Sequence, residues 1–181
     1  MLGHHFVAGD FIDGGSGFDT IRSMGSVVDY RVGTVLSIER MAFQQLAGEA
    51  TITAVINSSQ IGAGGLSPNL VVSGSAAQDA VQIFVGLNQT VDISGWMFDF
   101  PAWSFEDYVV YVGDAGNETF IGFQGMDVFF GSPGNDIFDG RGAFDFAAYI
   151  FSPFAVTADL AIVGPQAIGG NQGFDTLINL E

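Results

Sequence analysis

Hydrophobic and polar positions repeat with a period of nine between Gly113 and Ala148. Cut into nines, this stretch reads GDAGNETFI, GFQGMDVFF, GSPGNDIFD and GRGAFDFAA. The last three residues of each block predict a short strand, in which the eighth side chain points away from its two neighbours. Position six is an acid and position eight is apolar in every block. The acids are Glu118, Asp127, Asp136 and Asp145, and the apolar residues are Phe120, Phe129, Phe138 and Ala147.

The first six residues of each block predict a loop. Gly116, Gly125 and Gly134 occupy the fourth positions, where we expect a tight turn with the positive φ that a β-carbon disfavours. A three-residue strand cannot bury its apolar side alone, but stacked copies can. The short, fixed period therefore predicts a solenoid of repeated turns.

Residues 23–112 lack these glycine-aspartate loops but contain strand-like runs, namely TITAVI, NLVVSG, AVQIFV, TVDIS and DYVVYV. Apolar and polar residues alternate in TITAVI and TVDIS, which indicates strands with one buried face. We expect a continuing solenoid whose turns are closed by ordinary loops. Gly62–Pro68 is the clearest of these loops, and Ser37–Leu46 (SIERMAFQQL) is the one stretch that permits a helix.

The four blocks resemble the GGxGxDxUx nonapeptide of RTX proteins, a calcium-binding repeat. That resemblance implies a parallel β-roll with two nonapeptides per turn. It also implies Ca²⁺ between loops one turn apart, held by sixth-position carboxylates and loop carbonyls, with Asp127 paired to Asp145 and Glu118 to Asp136. An all-oxygen cage of this kind suits a hard cation. Glu118 stands where the family has aspartate, and Ala143 where it has glycine.

Further blocks lie at both ends of the chain. His5–Asp13 is a degenerate block and Gly14–Arg22 (GGSGFDTIR) a good one, which makes Asp19 a candidate ligand. Residue 37 is Ser37, so no acid lies eighteen residues after Asp19. Gly170–Ile178 fits the pattern with Asp175 at position six, which makes Asp175 another candidate ligand. The phrases LSIERM and AVTADLAIVGPQAIGGNQGFDTLINLE also resemble segments between RTX repeats.

These patterns predict an all-β fold, a parallel β-roll or β-solenoid of short strands with Gly-Asp calcium loops. We expect one domain over residues 1–181, and the resemblance to RTX proteins implies that it is an internal segment of a larger secreted chain. Residues 1–22 form its first nonapeptide pair, 23–112 its turns without calcium, 113–148 the RTX β-roll, and 149–181 a strand-rich continuation with a further nonapeptide.

The charge balance agrees with a cation-binding chain. Twenty acids face only four basic residues, giving a net charge of −16. This excess disfavours nucleic acid and anionic membrane surfaces as partners, and it repels itself unless cations neutralise it. The chain has no cysteine and therefore no disulfide. No apolar run approaches the roughly 20 residues that span a bilayer, and no signal peptide begins the chain.

Catalytic motifs are missing from the sequence, so we do not expect an enzyme. The two histidines, His4 and His5, belong to no HExxH motif, and no GxSxG elbow occurs. The alternative is a solenoid that binds or cleaves extracellular polysaccharide in a cleft near Trp96 and Trp103. The opposing interpretation is an apolar loop packed on the solenoid with its acids in solvent. The candidate acids of the cleft are Asp92, Asp99, Glu106 and Asp107.

Positions seven and nine of the blocks face outward if position eight faces inward. On one sheet these outward residues are apolar, whereas a solvated sheet carries polar residues there. We expect this face to pack against another chain or against residues 95–108, since exposed apolar patches mark interaction surfaces. The residues of this interaction face are Val128, Phe130, Phe146 and Ala148.

The predicted function is that of a secreted calcium-binding module, structural or adhesive, located outside the cell or at its surface. Its acids repel one another and its glycines have high entropy in the unfolded chain. We therefore expect it to fold on binding extracellular calcium. The apolar outer face and the lack of lysine also permit a further hypothesis, a subunit that self-associates into a surface layer or filament.

Overall fold

The computed structural model describes residues 6–62 and 64–181. Its secondary structure is 43% strand and 3% helix, and its sheets are mostly parallel, which confirms the predicted all-β class. His4 and His5 lie outside the described residues. The strands are β1 (Phe11–Asp13), β2 (Thr20–Ser23), β3 (Val27–Asp29), β4 (Thr34–Leu36), β5 (Ile38–Phe43), β6 (Thr51–Asn57), β7 (Leu66–Ser73), β8 (Gln78–Phe84), β9 (Thr90–Asp92), β10 (Met97–Phe98), β11 (Tyr108–Val112), β12 (Thr119–Ile121), β13 (Met126–Phe130), β14 (Ile137–Asp139), β15 (Phe146–Ala148), β16 (Gln166–Ala167) and β17 (Phe174–Ile178).

The chain divides into two compact units. The first comprises residues 1–82 and 95–107, and the second comprises residues 83–94 and 108–181, so the division falls within β8. Short 3-10 helices at Tyr30–Val32 and Ser58–Gln60 belong to the first unit. No helix in the described parts of the chain has the length and apolar character needed to span a bilayer.

The first unit is built from parallel strand pairs. β1 pairs with β4, β3 pairs with β6, and a sheet runs in the order β2-β5-β7-β10. All five strand runs predicted between residues 23 and 112 are strands, including TITAVI in β6, whose Ile52 and Ile56 are fully buried. The predicted loop at Gly62–Pro68 is shorter than expected, because β7 already begins at Leu66.

The helix predicted at Ser37–Leu46 is wrong. This stretch contains β5, which pairs with β2 on one side and with β7 on the other. Met41, Ala42 and Phe43 are consecutive and all buried, so the strand is covered on both faces and shows no alternating pattern. Pairing and burial therefore decide its structure against the weak local preference for helix.

The second unit contains the nine-residue blocks and pairs them at an offset of eighteen residues. In β11-β13-β15, Val110 lies opposite Val128 and Val128 lies opposite Phe146. In the other sheet, Thr119 on β12 lies opposite Ile137 on β14. This sheet runs β9-β12-β14-β17, and β16 pairs with β17 in the antiparallel direction.

Aromatic side chains fill the interior of the second unit. Phe120, Phe129 and Phe138, the eighth residues of three blocks, are fully buried. The rings of Phe129 and Phe138 are stacked with centroids 5.5 Å apart and an interplanar angle of 8°. Tyr111 stacks on the other face of Phe129 at 4.8 Å. The apolar eighth position thus forms the core, which brings the sixth-position acids of successive turns above one another.

Candidate carboxylate ladder

The sixth-position acids form a ladder that joins one turn to the next. The amide of Asp127 donates a hydrogen bond to Asp145 Oδ1 at 2.9 Å, and the amide of Glu118 donates to Asp136 Oδ1 at the same distance. Both pairs are buried. The structure therefore brings together the two pairs that the resemblance to RTX proteins implies.

The ladder continues past the last block to two more acids. The amide of Asp136 donates to Asp175 Oδ1 at 2.9 Å, and the amide of Asp145 donates to Glu181 Oε2 at 3.0 Å. These partners are thirty-nine and thirty-six residues apart, since residues 149–170 intervene. Asp175 was predicted as a ligand without a partner, and Glu181 was not predicted at all.

Three of these acids have donors for both carboxylate oxygens. Asp127 also accepts from the amide of Phe123 at 2.9 Å and from the Tyr111 hydroxyl at 2.9 Å. The second oxygen of Asp136 accepts from the Ser132 hydroxyl, and that of Asp175 accepts from the Tyr149 hydroxyl at 2.7 Å. The hydrogen-bonding requirement of these three carboxylates is met within the protein.

Other acids of the ladder keep one buried oxygen without a hydrogen-bond partner. These atoms are Glu118 Oε2 and Asp145 Oδ2, and Asp19 Oδ2 is a third of the same kind. Glu118 is 1% exposed and Asp145 0% exposed. A buried carboxylate oxygen without a partner is costly. Each of the three residues is the sixth of a nonapeptide block, so the unsatisfied oxygens mark the loops predicted to bind calcium.

Burial changes the protonation of this ladder in the metal-free state. Desolvation raises the pKa of Asp136 and of Asp175 to about 6, and that of Asp145 to about 7. It also raises the pKa of Glu118, and that of Asp127 well above its usual range. Neighbouring carboxylates add to the shift, while backbone amides oppose it. A cation in the ladder would remove this penalty on the charged form.

The fourth-position glycines are needed for close stacking of turns more than for positive φ. Gly134 has a φ of +149°, but Gly116 and Gly125 do not adopt positive φ, so that expectation is wrong for these two. A Cβ at Gly116 would lie 2.6 Å from the amide nitrogen of Asn88 in the preceding turn, and one at Gly134 would overlap the Gly116 carbonyl oxygen. At Gly125 it would lie 2.5 Å from the Phe123 ring of the same loop.

Asp19 has a ladder partner that its spacing did not predict. Its amide donates to Glu39 Oε2 at 2.9 Å, and its carbonyl accepts from the amides of Glu39 and Arg40. The separation is twenty residues rather than eighteen, which corrects the interpretation that no acid follows at the right place. The residue eighteen positions after Asp19 is Ser37, which has no carboxylate. Glu39, two residues further along, provides the carboxylate that contacts Asp19.

The same contact recurs within residues 23–112, where no calcium loop was predicted. The amide of Asp79 donates to Asp107 Oδ1 at 2.7 Å, and the Ser75 amide and hydroxyl both donate to Asp79. Gly74–Gln82 reads GSAAQDAVQ, with glycine first, aspartate sixth and the buried Val81 eighth. These three positions of the nonapeptide pattern are the sequence signal that would have identified the contact between Asp79 and Asp107. Burial raises the pKa of Asp79 to about 6.

The two tryptophans of the predicted sugar cleft are buried and do not line a cleft. Trp96 is 5% exposed and Trp103 is fully buried. The Trp103 ring packs on Phe98 at 4.9 Å and on Phe43 at 5.9 Å, within the first unit. Asp107 is buried in the ladder contact described above, whereas Asp92, Asp99 and Glu106 are exposed. The rings are therefore core residues and not a platform for a sugar.

The predicted interaction face lies on β13 and β15. Phe146 is 44% exposed, and the half-buried Phe130 contacts the Phe151 ring edge-on at 5.5 Å. Part of the face is thus covered by the segment that follows β15. Residues 95–108 were one of the two predicted covers of this face. Their two tryptophans are buried within the first unit. The face comprises Val128, Phe130, Phe146 and Ala148, in which Val128 lies opposite Phe146 and Phe130 opposite Ala148.

In the described residues, no three histidine, cysteine, aspartate or glutamate side chains come together as a metal cluster. The ladder offers carboxylates in pairs, so a cation there would take backbone carbonyls as its other ligands. Comparison of the chain with protein-family profiles, curated proteins and solved structures finds no match. The resemblance to RTX proteins therefore stays a prediction, and the candidate site rests on its own geometry.

Proposed function

We propose that this chain is a secreted, calcium-binding β-roll module with a structural or adhesive role and no catalytic activity of its own. The observation that carries the proposal is the stacking of buried acids of which two, Glu118 and Asp145, have one oxygen (Oε2 and Oδ2) without a hydrogen-bond partner. These oxygens belong to the loops that resemble RTX nonapeptides. A divalent cation is the ligand that satisfies them without a proton.

The finer fold assignment, a β-roll, belongs to the same proposal. Parallel pairing at an offset of eighteen residues supports two nonapeptides per turn. Full burial of the eighth-position phenylalanines supports a coil with an apolar interior. Parallel short strands joined by glycine-rich loops are the usual construction of such repeats.

Calcium is favoured over other cations by the available donors. They are carboxylate and carbonyl oxygens, without thiolate or imidazole, which is the ligand set of a hard cation. Calcium also tolerates irregular coordination, whereas Mg²⁺ requires a nearly octahedral arrangement and retains water. The net charge of −16 adds long-range attraction for any cation.

If the module folds only on binding calcium, the calcium concentration determines where it folds. Extracellular calcium modules bind at about 0.1–1 mM, far above the concentration inside a cell. A ligand that binds only the folded chain stabilises it in proportion to the logarithm of ligand concentration. The chain would accordingly stay unfolded before export and fold outside the cell or at its surface.

Circular dichroism with and without calcium tests this proposal. At neutral pH we expect β-structure in several millimolar calcium, its loss in EDTA, and no equivalent recovery with the same concentration of magnesium. Isothermal titration calorimetry should show saturable calcium binding over the same range. Equal β-content and equal melting temperature in EDTA and in calcium would overturn the proposal.

A further inference from the structure

Asp145 has one oxygen that the predicted pair with Asp127 does not use. Its Oδ1 accepts from the Asp127 amide, whereas Oδ2 is buried and has no hydrogen-bond partner. The residue is 0% exposed, so bulk solvent does not reach this oxygen. Asp145 therefore keeps one acceptor atom that its contact with Asp127 does not use.

In the loop before Asp145, the backbone amide equivalent to the one that donates to Asp127 Oδ2 donates to a different acceptor. In the preceding block of this edge, the second-position amide, that of Phe123, donates to Asp127 Oδ2. The equivalent amide belongs to Arg141, and it donates instead to Asp139 Oδ1 at 3.2 Å. Arg141 adopts a φ of +73°. This local change leaves Asp145 Oδ2 open to another ligand.

Further oxygens meet at the same place. Asp145 Oδ2 and the Asn179 carbonyl oxygen both face the space that a side chain at Gly140 would fill, since a Cβ there would overlap the first and lie 2.5 Å from the second. Asn179 has a φ of +52° and its side-chain amide donates to Asp139 at 2.8 Å. Two contacts hold Glu181 beside Asp145. Its Oε2 accepts from the Asp145 amide, and its own amide donates to the Asp145 carbonyl at 3.2 Å.

We propose that Asp145, Glu181 and the carbonyl of Asn179 form a further calcium site, one rung beyond the predicted Asp127–Asp145 pair. The inference rests on the proposed function, because it assumes that the ladder binds calcium. It adds a ligand, Glu181, that belongs to no nonapeptide and lies thirty-six residues from its partner. Two carboxylates and a carbonyl, all oxygen, are ligands of the kind that calcium takes.

Native mass spectrometry of the full chain in calcium tests the site by counting bound ions. Glu181→Gln keeps a carbonyl oxygen to accept from the Asp145 amide but removes the charge, so the variant should fold. We expect it to carry one calcium ion fewer than the parent chain. Glu106→Gln is the matched control, because it removes an exposed acid far along the chain and should leave the count unchanged.

A second variant tests whether the space beside Gly140, between Asp145 Oδ2 and the Asn179 carbonyl oxygen, holds the ion. Gly140→Ala places a methyl group between Asp145 Oδ2 and the Asn179 carbonyl, and it should remove the same single ion. The double variant with Glu181→Gln should lose no more than that ion. Circular dichroism in calcium verifies that each variant is folded.

The outcomes separate the two proposals. If the parent chain binds calcium and Glu181→Gln retains the full count with unchanged affinity, the further site is wrong and the proposed function stands. If the parent chain binds no calcium, both are wrong. Loss of one ion in Glu181→Gln but not in Glu106→Gln supports the site.

Discussion

The carboxylate of Asp145 accepts a hydrogen bond from the backbone amide of Asp127, eighteen residues earlier, over 2.9 Å. The same contact joins Glu118 to Asp136 and Asp19 to Glu39. Each acid thereby ties its own loop to the loop of the previous turn. A substitution at one acid should therefore affect the stability of two turns.

Asp145→Asn should weaken calcium binding while preserving the contact to Asp127. The amide oxygen of asparagine still accepts from the backbone, but the charge and the second carboxylate oxygen are lost. We expect calcium affinity to fall at least about tenfold, which corresponds to about 1.4 kcal/mol. Calorimetry measures it, with Asp99→Asn, an exposed acid, as the control. Equal affinities for the two variants would contradict the assignment.

Stability in EDTA should decrease as the pH rises from about 4 to about 7. Burial raises the pKa of Asp136 and Asp175 to about 6 and of Asp145 to about 7, against about 3.9 for an unfolded aspartate. The folded chain therefore keeps protons that the unfolded chain releases, and this stabilisation is present below pH 4 and lost as pH rises through the folded values.

Circular dichroism in EDTA across this pH range tests that dependence, because the β-content should fall as the pH rises. Because the excess of acids also repels itself as it ionises, Asp145→Asn serves as the control and should lose less stability over the same range. Calcium should reduce the decrease by replacing the protons. A β-content in EDTA that rises between pH 4 and 7 would show that the buried acids are not protonated there.

Gly116→Ala should destabilise the second unit through a collision between turns. The new methyl group would lie 2.6 Å from the Asn88 amide nitrogen, and relief of such overpacking costs about 1–3 kcal/mol. Gly86→Ala is the matched control, because its nearest neighbour is a side-chain atom of Gln89 at 3.4 Å. Neither glycine has positive φ. Urea unfolding in calcium compares them, and equal midpoints would contradict the stacking argument.

Phe146→Ser should reduce self-association if the outer face of β13 and β15 binds a second copy. Phe146 is 44% exposed beside the half-buried Phe130. Phe105→Ser is the control, since Phe105 is 94% exposed and lies outside this face. Sedimentation velocity in calcium gives the masses. An assembled parent chain that Phe146→Ser leaves unchanged would exclude this face as the contact.

The repeat itself could be predicted because each of its positions has one physical role. Phe129 at position eight had to be buried, and Asp127 at position six had to lie beside Asp145 once two blocks made a turn. Parallel pairing at eighteen residues follows from the same count. The burial of position eight depends only on the period and on the alternation of side chains in a strand, whereas two blocks per turn, and with them the pairing at eighteen residues, were implied by the resemblance to RTX proteins.

Partners outside the repeat could not be predicted because irregular turns decide their spacing. Glu39 lies twenty residues after Asp19, and Glu181 thirty-six after Asp145. The error at Ser37–Leu46 has a related cause. A strand paired on both sides and buried on both faces has no period of two, so its sequence does not distinguish it from a helix.

The antiparallel strand β16 limits how this sheet can grow. An uncovered edge of a sheet is a template on which other chains add strands, up to amyloid fibres. Gln166 and Ala167 cover the outer edge of β17 by pairing with Asp175 and Phe174. Two of the five residues of β17 are thus paired on this side, and the reversed direction of β16 breaks the succession of parallel strands. A parallel strand of another chain therefore does not find the whole edge of β17 free.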